Sequence, residues 1–177
     1  RSIIISSDFS SADLINSNLS TAQISHTKFT NAILSNSKFL GTGLKHIDFD
    51  GTNLENSVFD NSVLLHSDMK NTKIKNMEMR FANFYDVDFN GVDFSEIVFG
   101  PQNAFAGSDF RNSNLPILQL VDTDFTSKRI GNEVIGGSNL SNLDFSSTDM
   151  SRSIFSHQND FSDNLQSSIE FRNEVRD

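Results

Sequence analysis

The 177-residue chain has no cysteine, no tryptophan, one tyrosine and two prolines. Without cysteine, neither a disulfide framework nor a thiolate metal site can be built, and the redox compartment stays open. Cations are scarce: 14 Lys and Arg stand against 23 Asp and Glu, a formal charge of −9 with a pI near 4.7. That balance argues against a nucleic-acid backbone or an anionic membrane as direct partner, and favours a basic partner or a protein surface that normally receives DNA. No apolar run approaches the roughly 18 residues of a membrane span, and no signal peptide is visible. The chain opens on Arg rather than Met, as a piece of a longer sequence would.

What is abundant is phenylalanine, 17 residues of it, in a background crowded with Ser and Asn. Every fifth residue from Ile4 to Phe99 is large and apolar, twenty positions without a break. With 36% hydrophobic residues overall, chance would produce that run about once in 10⁹, so the period is genuine. After one inserted residue in "GPQNA" the beat resumes at Phe105 and continues to Phe155, and 14 of the 17 Phe lie on it. Two residues before each centre the chain is mostly small: Ala12, Ser17, Ala22, Thr27, Ala32 and Ser37 are examples. A helix would scatter a five-residue unit around its circumference, and a single strand needs period two. A short extended stretch followed by a sharp turn satisfies the pattern, and four such units close a square coil of twenty residues.

The run "SADLI NSNLS TAQIS HTKFT NAILS NSKFL" resembles the pentapeptide-repeat family, and the resemblance extends over residues 2–157. It implies an all-β fold, a right-handed quadrilateral parallel β-helix (solenoid), with large centres stacked inward and small residues beneath the corners. Stacking at one strand spacing, about 4.8 Å, makes a rod of roughly 35 Å from about seven coils. The expected organisation is a β-helix over 1–157, with a one-residue interruption near 100–101, and a C-terminal capping α-helix over 158–177.

Residues twenty apart lie above one another, so the sequence is readable as columns. His26, His46 and His66, with Asp86 next, form one corner column, as do Asn16, Asn36, Asn56 and Asn76. Rotamer changes would be needed to gather three imidazoles and a carboxylate around zinc, and the Asn column shows that the register builds such ladders with no metal. No metal and no cofactor are therefore expected; stacked imidazoles should instead make one another's protonation costlier. Before one set of centres stand Asp8, Lys28, Asp48, Asp68, Asp88 and Asp109. Successive aspartates repel at this spacing. Asp is the common residue at this position of the unit, and a negative stripe imitating a DNA phosphate row is the functional alternative.

Lys128 and Glu133 fall where small buried residues belong, a costly burial for unpaired charges. The segment 126–137, which also carries Arg129, is therefore read as a loop leaving the coil, a binding element or a tolerated insertion. At the C-terminus the beat becomes helical: Phe161, Leu165, Ile169, Phe171 and Val175 share one face behind the capping Ser162. Such a helix covers an open β-helix end or pairs two copies.

No Ser-His-Asp order, phosphate-cradling glycine loop or HExxH motif occurs, and a solid core leaves no concave pocket, so no enzyme is expected. The leading expectation is a protein-interaction scaffold presenting rigid flat faces. The family resemblance adds an acidic DNA mimic that binds DNA gyrase or topoisomerase and protects against quinolones, with Asp48, Asp68, Asp88, Asp109, Lys128, Arg129 and Glu133 as partner-binding candidates. A third alternative is the β-helix domain of a larger secreted bacterial effector. Location would be the bacterial cytoplasm or, for an effector, a host cell.

Overall fold

The computed structural model describes residues 2–97, 103–111, 113, 124–140, 154–155, 158–160 and 162. Five short strands carry one face: β1 (Ile3–Ile5), β2 (Gln23–Lys28), β3 (Gly43–Asp48), β4 (Val63–Asp68) and β5 (Asn83–Asp88). They pair in sequence order, all parallel, each residue lying against the one twenty further on, Ile4 on Ile24, Leu44 on Leu64 and Leu64 on Phe84 among them. These strands mark about four turns of a parallel β-solenoid, and no helix occurs among the described residues. The other faces are tied by single parallel bridges at the same offset, such as Asp13 to Ile33 and Asn18 to Lys38.

The five-residue unit produces this path through its corners. Every fifth residue from Ser6 to Gly91 has positive φ, from Asn16 at 60° through His46 at 53° to Gly91 at 76°. Asn and Gly tolerate that left-handed region best, which explains why they recur at these corners. At three of the four corners the centre's carbonyl accepts a bond from the small residue three later, as in Ala32 N–H to Phe29 O at 2.8 Å and Ser57 N–H to Leu54 O at 3.0 Å. The small residues are buried because the chain folds back directly over them. Several of their hydroxyls donate to carbonyls of the preceding turn, Thr52 to Phe29 O at 2.7 Å and Thr42 to Leu19 O at 3.1 Å.

The centres fill the interior with rings stacked one turn apart. Phe9, Phe29 and Phe49 form one file at 5.3 Å spacings, and Phe84, Phe105 and Phe125 another at 5.2 and 5.6 Å. Ile47, Met77, Val87, Val92 and Ile97, large residues at small positions, are also buried, so the interior accommodates them without expelling them. At the N-terminal end Ile4, Phe9, Leu14 and Leu19 are only partly buried, because no turn covers them.

Beyond β5 the offset departs three times from twenty, the last being 21 where Asn139 bridges Asp160. The offset first becomes 21 where Asn83 bridges Ala104 and Asp88 bridges Asp109. It becomes 30 where Asp109 bridges Asn139 and Asp124 bridges Ile154, while Phe125 still stacks on Phe155 at 5.1 Å. The extra ten residues leave the wall as an antiparallel hairpin of β6 (Lys128–Ile130) and β7 (Glu133–Ile135). The expected seven coils exceed the roughly four turns that the strands define. The C-terminal helix, with Phe161, Leu165, Ile169, Phe171 and Val175, lies outside the described residues.

Candidate functional site

The acidic column exists as geometry: Lys28 lies in register with Asp48, Asp48 with Asp68, Asp68 with Asp88, and Asp88 bridges Asp109. Its local cause is a turn bond. In each case one carboxylate oxygen accepts the N–H two residues later, Asp50 to Asp48 at 3.0 Å, Lys70 to Asp68 at 2.8 Å, Asn90 to Asp88 at 2.9 Å and Arg111 to Asp109 at 3.0 Å. Asn53 does the same work for the Glu55 amide at 3.0 Å, so the position calls for an Asx side chain rather than for a charge.

The second oxygen of each aspartate finds a partner that relieves the repulsion. Thr30 donates to Asp48 at 2.9 Å. Lys70 spans two turns, 3.1 Å from Asp68 and 3.0 Å from Asp88, and the bonds it donates, first to Asp88 and then to Asp68, raise the pKa of its ammonium. Arg111 grips Asp109 with its guanidinium, the closest contact being 2.6 Å. The column is thus a laced acid-base ladder, and it is less negative than its aspartates alone would make it. Sequence reading missed Lys70 and Arg111 as its counter-charges; each stands two residues after an aspartate of the column.

The histidine column is also real, with rings 4.7 Å apart for His26 and His46 and 5.1 Å for His46 and His66. It occupies the fourth corner, where β2 to β5 run through without the turn bond. There the Ile47 amide donates to Ser67 Oγ of the next turn at 3.2 Å. Burial first, and then the charges of His26 and His66, hold the pKa of His46 below its usual value. No grouping of three potential metal ligands in metal-binding geometry occurs among the described residues.

The hairpin is seated on this same corner. Continuing the column past Asp86 leads to Gly107, at φ +68°. A Cβ there would stand 2.5 Å from the Ile135 Cγ2, so only glycine lets Ile135 reach its buried place. At the exit, Gly137 lies so close to the Gln158 backbone that a Cβ would sit 2.4 Å from its carbonyl carbon. Lys128 Nζ bonds Asp124 Oδ2 at the hairpin's base. Towards its tip, Glu133 Oε2 lies 3.0 Å from His66 Nε2, while His66 Nδ1 lies 2.7 Å from Asp86 Oδ2. Three sequence-flagged residues, His66, Asp86 and Glu133, are thereby brought together, whereas Arg129 points outward beside exposed Val134.

Face β1–β5 carries a different feature. Ile3, Ile5 and Val63 are exposed, and with Leu65 they line a shallow groove of about 500 Å³ over Gly41 and Gly43. At its floor the Gln23 side chain lies over Gly43, where a Cβ would meet the Gln23 amide oxygen at 2.6 Å. At the neighbouring corner Phe81 holds φ 58° while 44% exposed, an unusual residue for the left-handed region.

Residues 2–79 match the family model described as "Pentapeptide repeat region". No curated protein matches the sequence. Among solved structures, a trypsin-treated form of QnrB1, a plasmid-mediated fluoroquinolone resistance protein, is 16% identical, with 97% of this chain and 86% of that one covered and a TM-score of 0.58. Full-length QnrB1 is 14% identical, covers 96% and 86%, and superposes with a TM-score of 0.56. At such identities the likeness is one of fold. Residues 2–79 are thus similar in sequence to the pentapeptide-repeat region, and the solenoid they build shares its fold with these structures.

Proposed function

We propose that the protein is a non-enzymatic scaffold whose flat β1–β5 face receives a protein partner. The observation that supports this reading is the exposed apolar set Ile3, Ile5 and Val63 around the groove over Gly43. Outward residues on a one-sided sheet are normally polar, and side chains held on a rigid stacked wall lose little entropy on binding. Among the described residues the interior offers no room for substrate, since its centres are close-packed aromatic and aliphatic side chains. The test is affinity capture with the wild type and with Val63→Lys. Val63 is 38% exposed, so the substitution should leave the melting temperature nearly unchanged while a specific partner is lost. Equal capture by both proteins counts against this face.

The register of Asp48, Asp68, Asp88 and Asp109 supports a second reading, an acidic mimic of DNA that binds gyrase or topoisomerase. Against it stand Lys70 and Arg111, which neutralise part of the row. Protection of gyrase supercoiling from a fluoroquinolone, lost in Asp48→Asn with Asp68→Asn, is the expected result. Asn keeps the turn bond and removes the charge. No effect of the wild type on supercoiling or inhibition excludes the mimic.

A further inference from the structure

Both ring nitrogens of His66 face carboxylate oxygens, Asp86 at 2.7 Å and Glu133 at 3.0 Å. Carboxylates only accept hydrogen bonds, so both nitrogens must donate, and only the imidazolium carries two N–H groups. A neutral ring would turn a lone pair towards one of the acids. Water has little room to intervene, because the His66 side chain is only 15% exposed.

We propose that His66 is a proton-operated latch: as an imidazolium it ties the tip of the β6–β7 hairpin to the solenoid through Glu133, and loss of its proton frees that tip. The hairpin's base is held separately, by Lys128 on Asp124 and by Ile135 against Gly107, so the movement is confined to the segment around Gly131–Val134. Charged and titratable groups acting on His66 or its neighbour His46 come from each neighbouring element: Lys45 and His46 on β3, Asp86 on β5 and Glu133 on β7. His46 does not compete for the proton, since burial and its neighbouring histidines disfavour its charged form.

The direction with pH follows from linkage. Burial lowers the proton affinity of His66, but the bonds it donates to Asp86 and Glu133 outweigh it and leave its pKa above the ordinary histidine value of 6.5. A group whose pKa is raised in the docked state contributes docking free energy at pH below its undocked value and loses it as pH rises through the docked one. A tenfold difference in proton affinity between the two states is a tenfold change in the docking equilibrium across that titration. The latch is therefore closed in mildly acidic solution and opens on the alkaline side of 6.5.

NMR of the full chain tests this. The His66 ring carbons and the amides of Gly131 to Val134 are followed from about pH 5.5 to 8.5, with relaxation by a soluble paramagnetic agent reporting exposure of the His66 ring. The expected result is one shared midpoint for ring and hairpin, higher than that of His46, and an increase of about twofold or more in ring exposure at the alkaline end. His66→Asn keeps a residue suited to the left-handed corner, as Asn36 and Asn56 show, and should remove the hairpin's pH response. Glu133→Gln should lower the His66 midpoint while leaving the solenoid's melting unchanged. A His66 midpoint no higher than that of His46, or an unaltered hairpin titration in His66→Asn, overturns the proposal.

Discussion

Phe9 and Phe49 stand in the same place of the five-residue unit and in the same file of rings, and replacing each by alanine should cost different amounts. Phe49 is fully buried, stacked on Phe29 at 5.3 Å and edge-on to Phe39 and Phe59 at 6.1 and 6.3 Å. Its removal leaves a closed cavity between two turns, for which about 3–5 kcal/mol is expected. Phe9 is only partly buried at the open end and stacks on Phe29 alone in that file. It loses a fraction of its transfer energy and one ring pair, and solvent enters the gap, so about 1.5–2.5 kcal/mol is expected. Phe49→Leu keeps most of the volume and forfeits the ring contacts, at about 1–2 kcal/mol. Urea unfolding followed by far-UV circular dichroism, at unchanged slope, measures all three. Equal costs for Phe9→Ala and Phe49→Ala would refute the claim that stacking between turns, rather than membership of the repeat, sets the contribution of a centre.

Asp48→Ala should destabilise by about 1 kcal/mol through loss of the bonds from the Asp50 amide and Thr30, whereas Asp48→Asn should stay within about 0.5 kcal/mol of the wild type in the same assay. For Asp109, burial pushes the carboxyl up, but the bonds from Arg111 prevail and hold it below the ordinary carboxylate range. Its contribution is therefore present above about pH 3.9 and lost as pH falls through the depressed value, so Arg111→Gln should weaken the protein near neutrality and converge with wild type in strong acid. Urea titrations at several pH values check this; a constant difference down to the lowest pH contradicts it. Phe81→Asn relieves left-handed strain worth about 1–2 kcal/mol, in part offset by lost burial, and should raise stability by up to about 1 kcal/mol. A clear drop in the melting temperature would show that the ring's packing outweighs the strain.

The sharp division between what was legible and what was not follows from the range of each interaction. The centres announce themselves because a turn of fixed length repeats them, and Phe29, Leu34, Phe39 and Leu44 are all buried. The small residues are legible for the same reason, since space beneath a corner excludes anything larger unless the coil adapts, as it does at Ile47 and Met77. Columns such as His26, His46 and His66, or Asp48, Asp68 and Asp88, need only the twenty-residue arithmetic of the coil.

The sequence by itself therefore determined the repeat, the inward and outward sides of each unit, and which residues stack. Those properties are local and periodic. Only the tertiary structure decided that Lys70 clasps aspartates of two turns, that the histidine corner lacks the turn bond of the other three, and that Glu133 meets His66 across 67 residues of chain. These depend on where a long side chain reaches and on how a hairpin, freed from the period, settles against a corner where Gly107 leaves room. Departures from the repeat show in a sequence as broken rhythm, but a broken rhythm carries no direction, and the direction comes from the surface the departing segment finds.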